Sequence, residues 1–218
     1  MDATINTKVQ LDQQGNRLTI ISGGVFVKEV GSKQLTLDGI GVSPLGVMST
    51  LPGAINVVED REGTTHRTVI TLTNLPVATT DHTTNGAQGT QLLYTFPRGL
   101  INLLSGVANL SIVGDGINIT STAAVVSAVG SVVPATDPTL TSTEADMIPS
   151  FAATLTASAG VVKGLGQTGH FYDNTTNTNA TQLTANLNFA IPDVGSSANG
   201  TLTVSGTITL NWFNVGDN

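Results

Sequence analysis

The sequence predicts an all-β protein built as an antiparallel β-sandwich with an extended N-terminal segment. First, Thr201–Trp212 and Leu183–Ile191 alternate apolar and polar residues, which is the pattern of half-buried strands. Second, sustained helical periodicity is nearly absent. Third, short apolar runs are separated by clusters of Gly, Pro, Asn and Asp, as is typical of sandwiches and barrels.

The N-terminal segment, residues 1–50, contains short extended pieces that are punctuated by glycines and prolines such as Gly23, Gly24 and Pro44. This pattern is compatible with an arm that reaches a neighbouring molecule and equally with the first strands of the sandwich. The remainder, residues 51–218, is expected to form one β-sandwich domain, because all-β domains of this size are often single.

The middle of the chain carries two strand patterns. In Arg67–Val77, Ile70 and Leu72 are expected to face the core while the threonines between them face outward. The stretch Gln91–Phe96 also predicts a strand. It ends before Pro97, because proline has no N–H to donate to a ladder.

Two further segments are predicted not to form strands. Thr141–Ser150 predicts about one helical turn, with Thr143 and Asp146 in the spacing of a capping box and Pro149 limiting its length. The Asn- and Thr-rich segment His170–Gln182 is expected to be an exposed loop.

The last two strands are expected to pair with each other in antiparallel fashion, since one loop joins them. In Leu183–Ile191, the apolar odd-numbered residues are predicted to face inward, and Thr184, Asn186, Asn188 and Ala190 outward. The residues expected to form part of the sandwich core are Ile70, Leu72, Leu187, Phe189, Ile208, Leu210 and Trp212.

Charge is scarce and unevenly distributed. Charged residues make up 11% of the chain, against about 25% in ordinary domains, and polarity comes instead from 34 threonines and 17 asparagines. Residues 1–98 carry a net charge of −1, whereas residues 99–218 carry −6 because Lys163 is their only basic residue. Few charges indicate a protein that packs against copies or partners. The acidic body disfavours binding to nucleic acid phosphates.

Targeting and redox signals are weak. The N-terminus has no apolar signal-peptide region, and the longest run of low polarity, Ala123–Val133, is too short to span a bilayer. We therefore expect a protein made in the cytoplasm, without membrane insertion. The absence of cysteine excludes a disulfide scaffold and a thiol nucleophile.

Three motifs have some features of cofactor or metal sites. Gly164–Gly169 matches the dinucleotide pattern G-x-G-x-x-G, but no helix pattern follows it, so we interpret it as a loop. His66, His82 and His170 are far apart and show no metal-ligand spacing. Asp173–Asn179 has alternate oxygen ligands like a calcium loop, but it lacks the central glycine and the closing glutamate.

Acidic residues that could serve an enzyme are also better explained otherwise. Glu59, Asp60 and Glu62 surround Arg61, which predicts a charged hairpin tip, because carboxylates this close in sequence cannot oppose each other across a substrate. No nucleophile elbow or triad context occurs. We therefore predict no enzyme, with no catalytic, cofactor-binding or metal residues.

Four stretches of the chain resemble a family of tailed-bacteriophage virion proteins, the capsid cement or decoration type. They occur in the family's order and span roughly residues 55–218. The stretches are VVEDREGTTHRTVITLTNLPVA, LLYTFPRGLINLLSGVANLSI, TLTSTEADMIPS and LTVSGTITLNWFNVGDN. The chain departs from the family at Arg98, where an acidic residue is usual after Pro97.

The resemblance implies a jelly-roll sandwich that forms a homotrimer. The trimer is expected to bind the major capsid protein from outside, on the outer surface of the virion, and to stabilise the capsid shell. Residues 1–50 show no such resemblance, and we expect them to help to anchor the subunit. The alternative is a carbohydrate-binding or tail-fibre module, which would display an exposed aromatic platform; Tyr94 and Tyr172 are its best candidates.

Overall fold

The computed structural model describes a defined part of the chain. The described residues are 9–11, 18–20, 47–48, 53–62, 65–82, 86–119, 124–135, 139–155, 160–165, 170–175, 182–191 and 199–215. They form thirteen β-strands: β1 (Val9–Leu11), β2 (Leu18–Ile20), β3 (Val47–Met48), β4 (Ile55–Glu62), β5 (Thr65–Asp81), β6 (Ala87–Thr95), β7 (Gly99–Val113), β8 (Ala124–Gly130), β9 (Ile148–Thr154), β10 (Gly160–Leu165), β11 (His170–Asn174), β12 (Thr184–Ile191) and β13 (Thr201–Asn214). Within these ranges, the helical structure is a single 3-10 turn at Ser142–Glu144.

The chain divides into two units, Met1–Leu37 and Asp38–Asn218. In the smaller unit, β1 and β2 pair in antiparallel fashion. The larger unit contains the other eleven strands. Its first strand is β3, which pairs with β6 through Val47 and Thr95, so residues 47–48 belong to the sandwich although they lie within the N-terminal segment 1–50.

The eleven strands form one curled antiparallel sheet whose two halves we call the first and second sheets. In the first sheet the order is β4-β5-β13-β7, and both β10 and β11 pair with the far edge of β7. In the second sheet the order is β6-β12-β8-β9, with β3 beside β6. The two halves are joined by β5, whose residues 65–78 pair with β13 and whose residues 79–81 pair with β6. The predicted all-β antiparallel sandwich is confirmed, and its curled sheet is compatible with a jelly roll.

A bulge lets β5 pass from one sheet to the other. Thr73 and Asn74 together lie opposite Ser205. The residues of β5 that face the core are therefore even-numbered up to Leu72 and odd-numbered from Leu75 onward. Asn74 has a φ of 48°, a left-handed conformation that asparagine tolerates. Its N–H donates to Ser205 Oγ at 2.9 Å.

The facing strand accommodates this bulge at Gly206. Its φ is +135°, and a Cβ atom at this position would lie 2.1 Å from the carbonyl oxygen of Asn109. Only glycine fits such a close approach of two backbones. The gap in the apolar alternation of the closing strand is therefore a structural requirement.

The core lies between the inner faces of the two sheets. All seven residues predicted for it are at most 2% exposed and belong to one contiguous cluster: Ile70, Leu72, Leu187, Phe189, Ile208, Leu210 and Trp212. On β13, the inward positions are Leu202, Val204, Ile208, Leu210 and Trp212, and the threonines between them are half-buried or exposed. The alternation at the end of the chain therefore follows the pleat of one strand.

Two predictions about β12 are wrong. The strand does not pair with β13; its neighbours are β6 and β8, while β13 lies between β5 and β7. Its second face is also covered, since Asn186, Asn188 and Ala190 are 4%, 0% and 0% exposed. The segment 139–147 lies over this face, where Leu140 and Ala145 form a small apolar cluster with Ala128 and Ala190.

The predicted capping box is shifted by two residues along the chain. The 3-10 turn begins after Thr141, whose N–H donates to Glu144 Oε2 at 3.0 Å. Asp146 instead accepts hydrogen bonds from the backbone N–H and the hydroxyl of Ser131, at 2.8 and 2.7 Å. Glu144 Oε1 also accepts the N–H of Ala135 at 2.7 Å, so both carboxylates fasten the covering segment 139–147 to the chain that follows β8.

Candidate functional site

Buried polar residues collect at one end of the core, between β4, β5 and β6. The His66 Nδ1 atom lies 2.5 Å from Glu59 Oε1, and the Tyr94 hydroxyl donates to Glu59 Oε2. His66 is fully buried, and the Glu59 side chain is 8% exposed. The charged hairpin tip predicted for Glu59 is therefore wrong for this residue, because its carboxylate points inward while Asp60 is exposed.

An aromatic cluster surrounds this carboxylate–imidazole pair. The His66 ring stacks on Trp212 with 3.8 Å between ring centroids and 11° between the ring planes. Phe96 meets both Trp212 and Tyr94 edge-on, with centroid distances of 5.2 and 5.1 Å. The Trp212 indole N–H donates to Thr68 Oγ1 at 2.9 Å. Each ring thus has a defined orientation, as buried Tyr and Trp with a polar atom require.

The pair resembles the Glu–His half of a catalytic triad, but its geometry stabilises the fold. The Nε2 atom of His66 is buried and has no hydrogen-bond partner within the described residues, so no serine or threonine hydroxyl is placed for activation. Trp212 covers one face of the imidazole and, like the ring itself, is fully buried. The interaction holds the edge strand β4 against the core.

A surface cleft of about 900 Å³ opens on the outer side of the second sheet, between the chain after β8, β11 and the start of β12. Its exposed side chains include four apolar ones, Leu92, Val132, Val133 and Phe171, which are 36–55% exposed, together with Asp173 and Gln182.

Two buried asparagines of the cleft, Asn174 and Asn186, are already engaged with the protein. Asn174 donates to the carbonyl oxygen of Pro97 at 2.8 Å and accepts from the N–H of Leu183 at 3.0 Å. Asn186 donates to Thr184 Oγ1 at 2.9 Å and to the carbonyl oxygen of Ser131 at 3.3 Å. The exposed lining therefore combines four apolar side chains with the charged Asp173 and the polar Gln182.

The two tyrosines predicted as a glycan platform are not exposed. Tyr94 is 1% exposed and lies in the core, and Tyr172 is 9% exposed. Burial raises the pKa of the Tyr172 hydroxyl, and the nearby Asp146 carboxylate raises that pKa further. The aromatic side chain that does face solvent beside the cleft is Phe171, at 55% exposure.

A rigid turn at Gly114–Ile119 displays an exposed isoleucine. Asp115 Oδ1 accepts the N–H groups of Ile117, Asn118 and Ile119, each at 2.9 Å. Partial burial opposes ionisation of Asp115, but these bonds and one from Thr201 together lower its pKa below the ordinary value. Ile119 is buried, whereas Ile117 is 80% exposed at the tip.

The remaining sequence motifs do not assemble into a site. Gly164 and Leu165 belong to β10, and residues 166–169 of the dinucleotide-like motif lie outside the described residues. Asp173 accepts from the hydroxyl and N–H of Thr175, which lowers the pKa of its carboxyl. Residues 176–179 of the calcium-like motif also lie outside. In the described ranges, no three His, Asp or Glu side chains are grouped to hold a metal ion.

Sequence reasoning missed the Glu59–His66 pair and the surface cleft. A signal for the pair was present, because Glu59 shares its strand parity with Ile55 and Val57, which face the core. The cleft had no such signal, since its walls come from four segments that are distant in sequence.

No family model, curated protein or solved structure matches the chain. In the part of the chain that the structure describes, no helix has the length and apolar character needed to cross a membrane.

Proposed function

We propose that this chain is a structural virion protein, a cement or decoration subunit that binds the outside of a tailed-phage capsid shell and stabilises it as a homotrimer. The observation that carries the proposal is the resemblance of four segments to such proteins, taken with where those segments lie in the sandwich. Residues 57–78 and 202–218 contain most of β4 and β5 and all but the first residue of β13, which are neighbours in the first sheet. Residues 92–112 include most of β7, the next strand along.

The surface chemistry supports the same proposal. A protein that tiles a symmetric shell needs broad, rigid surfaces, and many weak contacts on a lattice add up to firm attachment. The chain has 11% charged residues and a net charge of −7, which favours packing against protein and disfavours contact with packaged DNA. The partner in this proposal is the major capsid protein, and the site of action is the outer surface of the virion.

The rival proposal, a carbohydrate-binding or tail-fibre module, loses its two candidate platform residues. Tyr94 and Tyr172 are buried, at 1% and 9% exposure. A glycan array distinguishes the two proposals, since the decoration proposal expects no binders, and a saturable hit that Phe171→Ala abolishes would favour the rival.

The direct test is co-sedimentation of the full chain with empty shells of the phage that encodes it. The proposal expects saturable binding with a fixed ratio of this chain to the major capsid protein, and a higher temperature of shell disruption when the chain is bound. An unrelated acidic β-sandwich of similar size is the control. Absence of saturable binding, with shell disruption unchanged, would overturn the proposal.

A further inference from the structure

The outward side of the first sheet carries regular rows of side chains that cross four strands. One row consists of Val58 on β4, Val69 on β5, Thr209 on β13 and Val107 on β7, which the strand registers place side by side. Val58 and Val107, at its two ends, are 59% and 41% exposed. Four adjacent β-branched side chains on an open face form a continuous hydrophobic ridge.

A second row runs parallel to this ridge, two residues along each strand. It consists of Asn56, Thr71, Thr207 and Asn109, again in register across the four strands. Asn56, Thr207 and Asn109 are exposed, and Thr71 is half-buried. The row is polar but uncharged, so covering it removes no ionised group from water.

The third row, on the other side of the ridge, contains the charges of this face. Asp60 and Arg67 are cross-strand neighbours of opposite sign, followed by Asn211 and Ser105. Asn211 donates to Ser105 Oγ at 2.9 Å. We call these three rows the outer face; its net charge is zero, although the chain as a whole carries −7.

The charge distribution points to a second copy of the same chain as the occupant. Two copies that each carry −7 repel each other through most of their surfaces, so a contact between copies is favoured where the local charge is neutral. The valine and threonine side chains also have few rotamers to lose when they are immobilised.

The dimensions of the face agree with this occupant. All four strands lie side by side only where β4 is present, which on β13 is residues 206–213, about 27 Å at the rise of an antiparallel strand. Four strands are about 19 Å wide. The resulting flat area is roughly 500 Å² on each copy, or about 1,000 Å² in total, which reaches the lower limit for a specific interface.

We infer that the outer face of the first sheet is the contact surface between copies of this chain. This inference goes beyond the proposed function, because a face that contacts the same face of a second copy forms a two-fold contact, separate from the contacts of the proposed trimer. The Val58–Val107 ridge lies at the centre of the interface, and the two flanking rows supply hydrogen-bonding groups around it.

The test measures the mass of the full chain in solution without any shells, so that its outcome is separate from shell binding. The parent is expected to sediment as a multiple of 22.3 kDa. Val107→Glu is expected to raise the concentration of half-dissociation at least tenfold, because it places a charge on the ridge. Val132→Glu is the matched control, since Val132 is similarly exposed, at 46%, but lies beside the cleft.

A second measurement keeps the inference testable if Val107→Glu alters folding. The chain has no cysteine, so single cysteines can be introduced without interference. Thr207→Cys is expected to form intermolecular disulfide dimers under mild oxidation far faster than Val132→Cys. A monomeric parent, equal effects of the two glutamates in folded variants, or equal cross-linking of the two cysteines would each overturn the inference. Failure of shell binding by an oligomeric parent would instead count against the proposed function alone.

Discussion

The imidazole of His66 lies flat on the indole of Trp212, with the two ring centroids 3.8 Å apart. His66 comes from β5 and Trp212 from β13, and the two residues are cross-strand partners in the register. Glu59 and Tyr94 complete the cluster from β4 and β6. Four strands therefore meet in one group of side chains, and the stability of the sandwich is expected to depend strongly on it.

Replacing Trp212 by alanine is expected to lower the free energy of unfolding by about 3–5 kcal/mol, as large-to-small changes in packed cores do. The loss includes the stack on His66 and the hydrogen bond to Thr68. In a chain of this size the melting temperature should fall by roughly 6–20 °C. The control is Phe213→Ala, the adjacent half-buried residue, which should cost much less. A Trp212→Ala melt within a degree or two of the parent would contradict this placement.

Glu59→Ala and Asp60→Ala form a matched pair, since the two residues are adjacent but face opposite sides of β4. Removing the Glu59 carboxylate leaves His66 and the Tyr94 hydroxyl buried without their acceptor, which should cost about 3–5 kcal/mol. Asp60→Ala should change stability by less than about 0.5 kcal/mol. Chemical denaturation measures both values, and equal costs would show that Glu59 does not have this role.

The Tyr172 hydroxyl should make the protein less stable at alkaline pH. Burial, together with Asp146, raises its pKa in the folded state, so the folded protein keeps the phenol neutral while the unfolded chain ionises it near pH 10. This contribution to stability is complete below pH 10 and is lost as pH rises above it. Tyr172→Phe should therefore weaken the decline in melting temperature between pH 9 and 11. Parallel declines in parent and variant would refute the prediction.

Asn188 should be as important as an apolar core residue. Its Nδ2 donates to the carbonyl oxygens of Val132 and Glu144, both at 2.8 Å, and its Oδ1 accepts from the Thr90 hydroxyl at 2.8 Å. Asn188→Leu removes the donor from both carbonyls and should cost about 2–4 kcal/mol. Thr90→Val removes only the hydrogen bond from the exposed Thr90 hydroxyl to Asn188 Oδ1 and should lower the free energy of unfolding by under about 1 kcal/mol. Urea denaturation measures the free energy of unfolding of both variants. An Asn188→Leu variant as stable as the parent would contradict the prediction.

The closing strand could be predicted from the sequence because its two faces differ in chemistry along its whole length. Leu202 to Trp212 face the core, and the intervening threonines face outward, so the period of two is unambiguous. The same rule found the inward faces of β5 and β12.

The rule failed where a polar side chain is buried by a partner that is distant in sequence. Asn186 and Asn188 look like solvent-facing residues, yet both are buried, and the carbonyl oxygens of Val132 and Glu144 accept hydrogen bonds from Asn188. Alternation also specifies which way a side chain faces, but not which strand lies alongside. For that reason the pairing of β12 with β13 was wrong, and β5 became the partner of β13 across about 130 residues of chain.

This long-range pairing has a consequence for biosynthesis. Between β5 and β7 the first sheet has a gap that β13 fills, so the sheet cannot close until residues 201–214 have left the ribosome. Nascent chains must therefore keep the edges of β5 and β7 unpaired during synthesis, and folding dominated by such distant contacts is slow. A nonsense mutation at the codon of Thr201 removes β13 and should yield an aggregating product, even though it leaves the other twelve described strands intact.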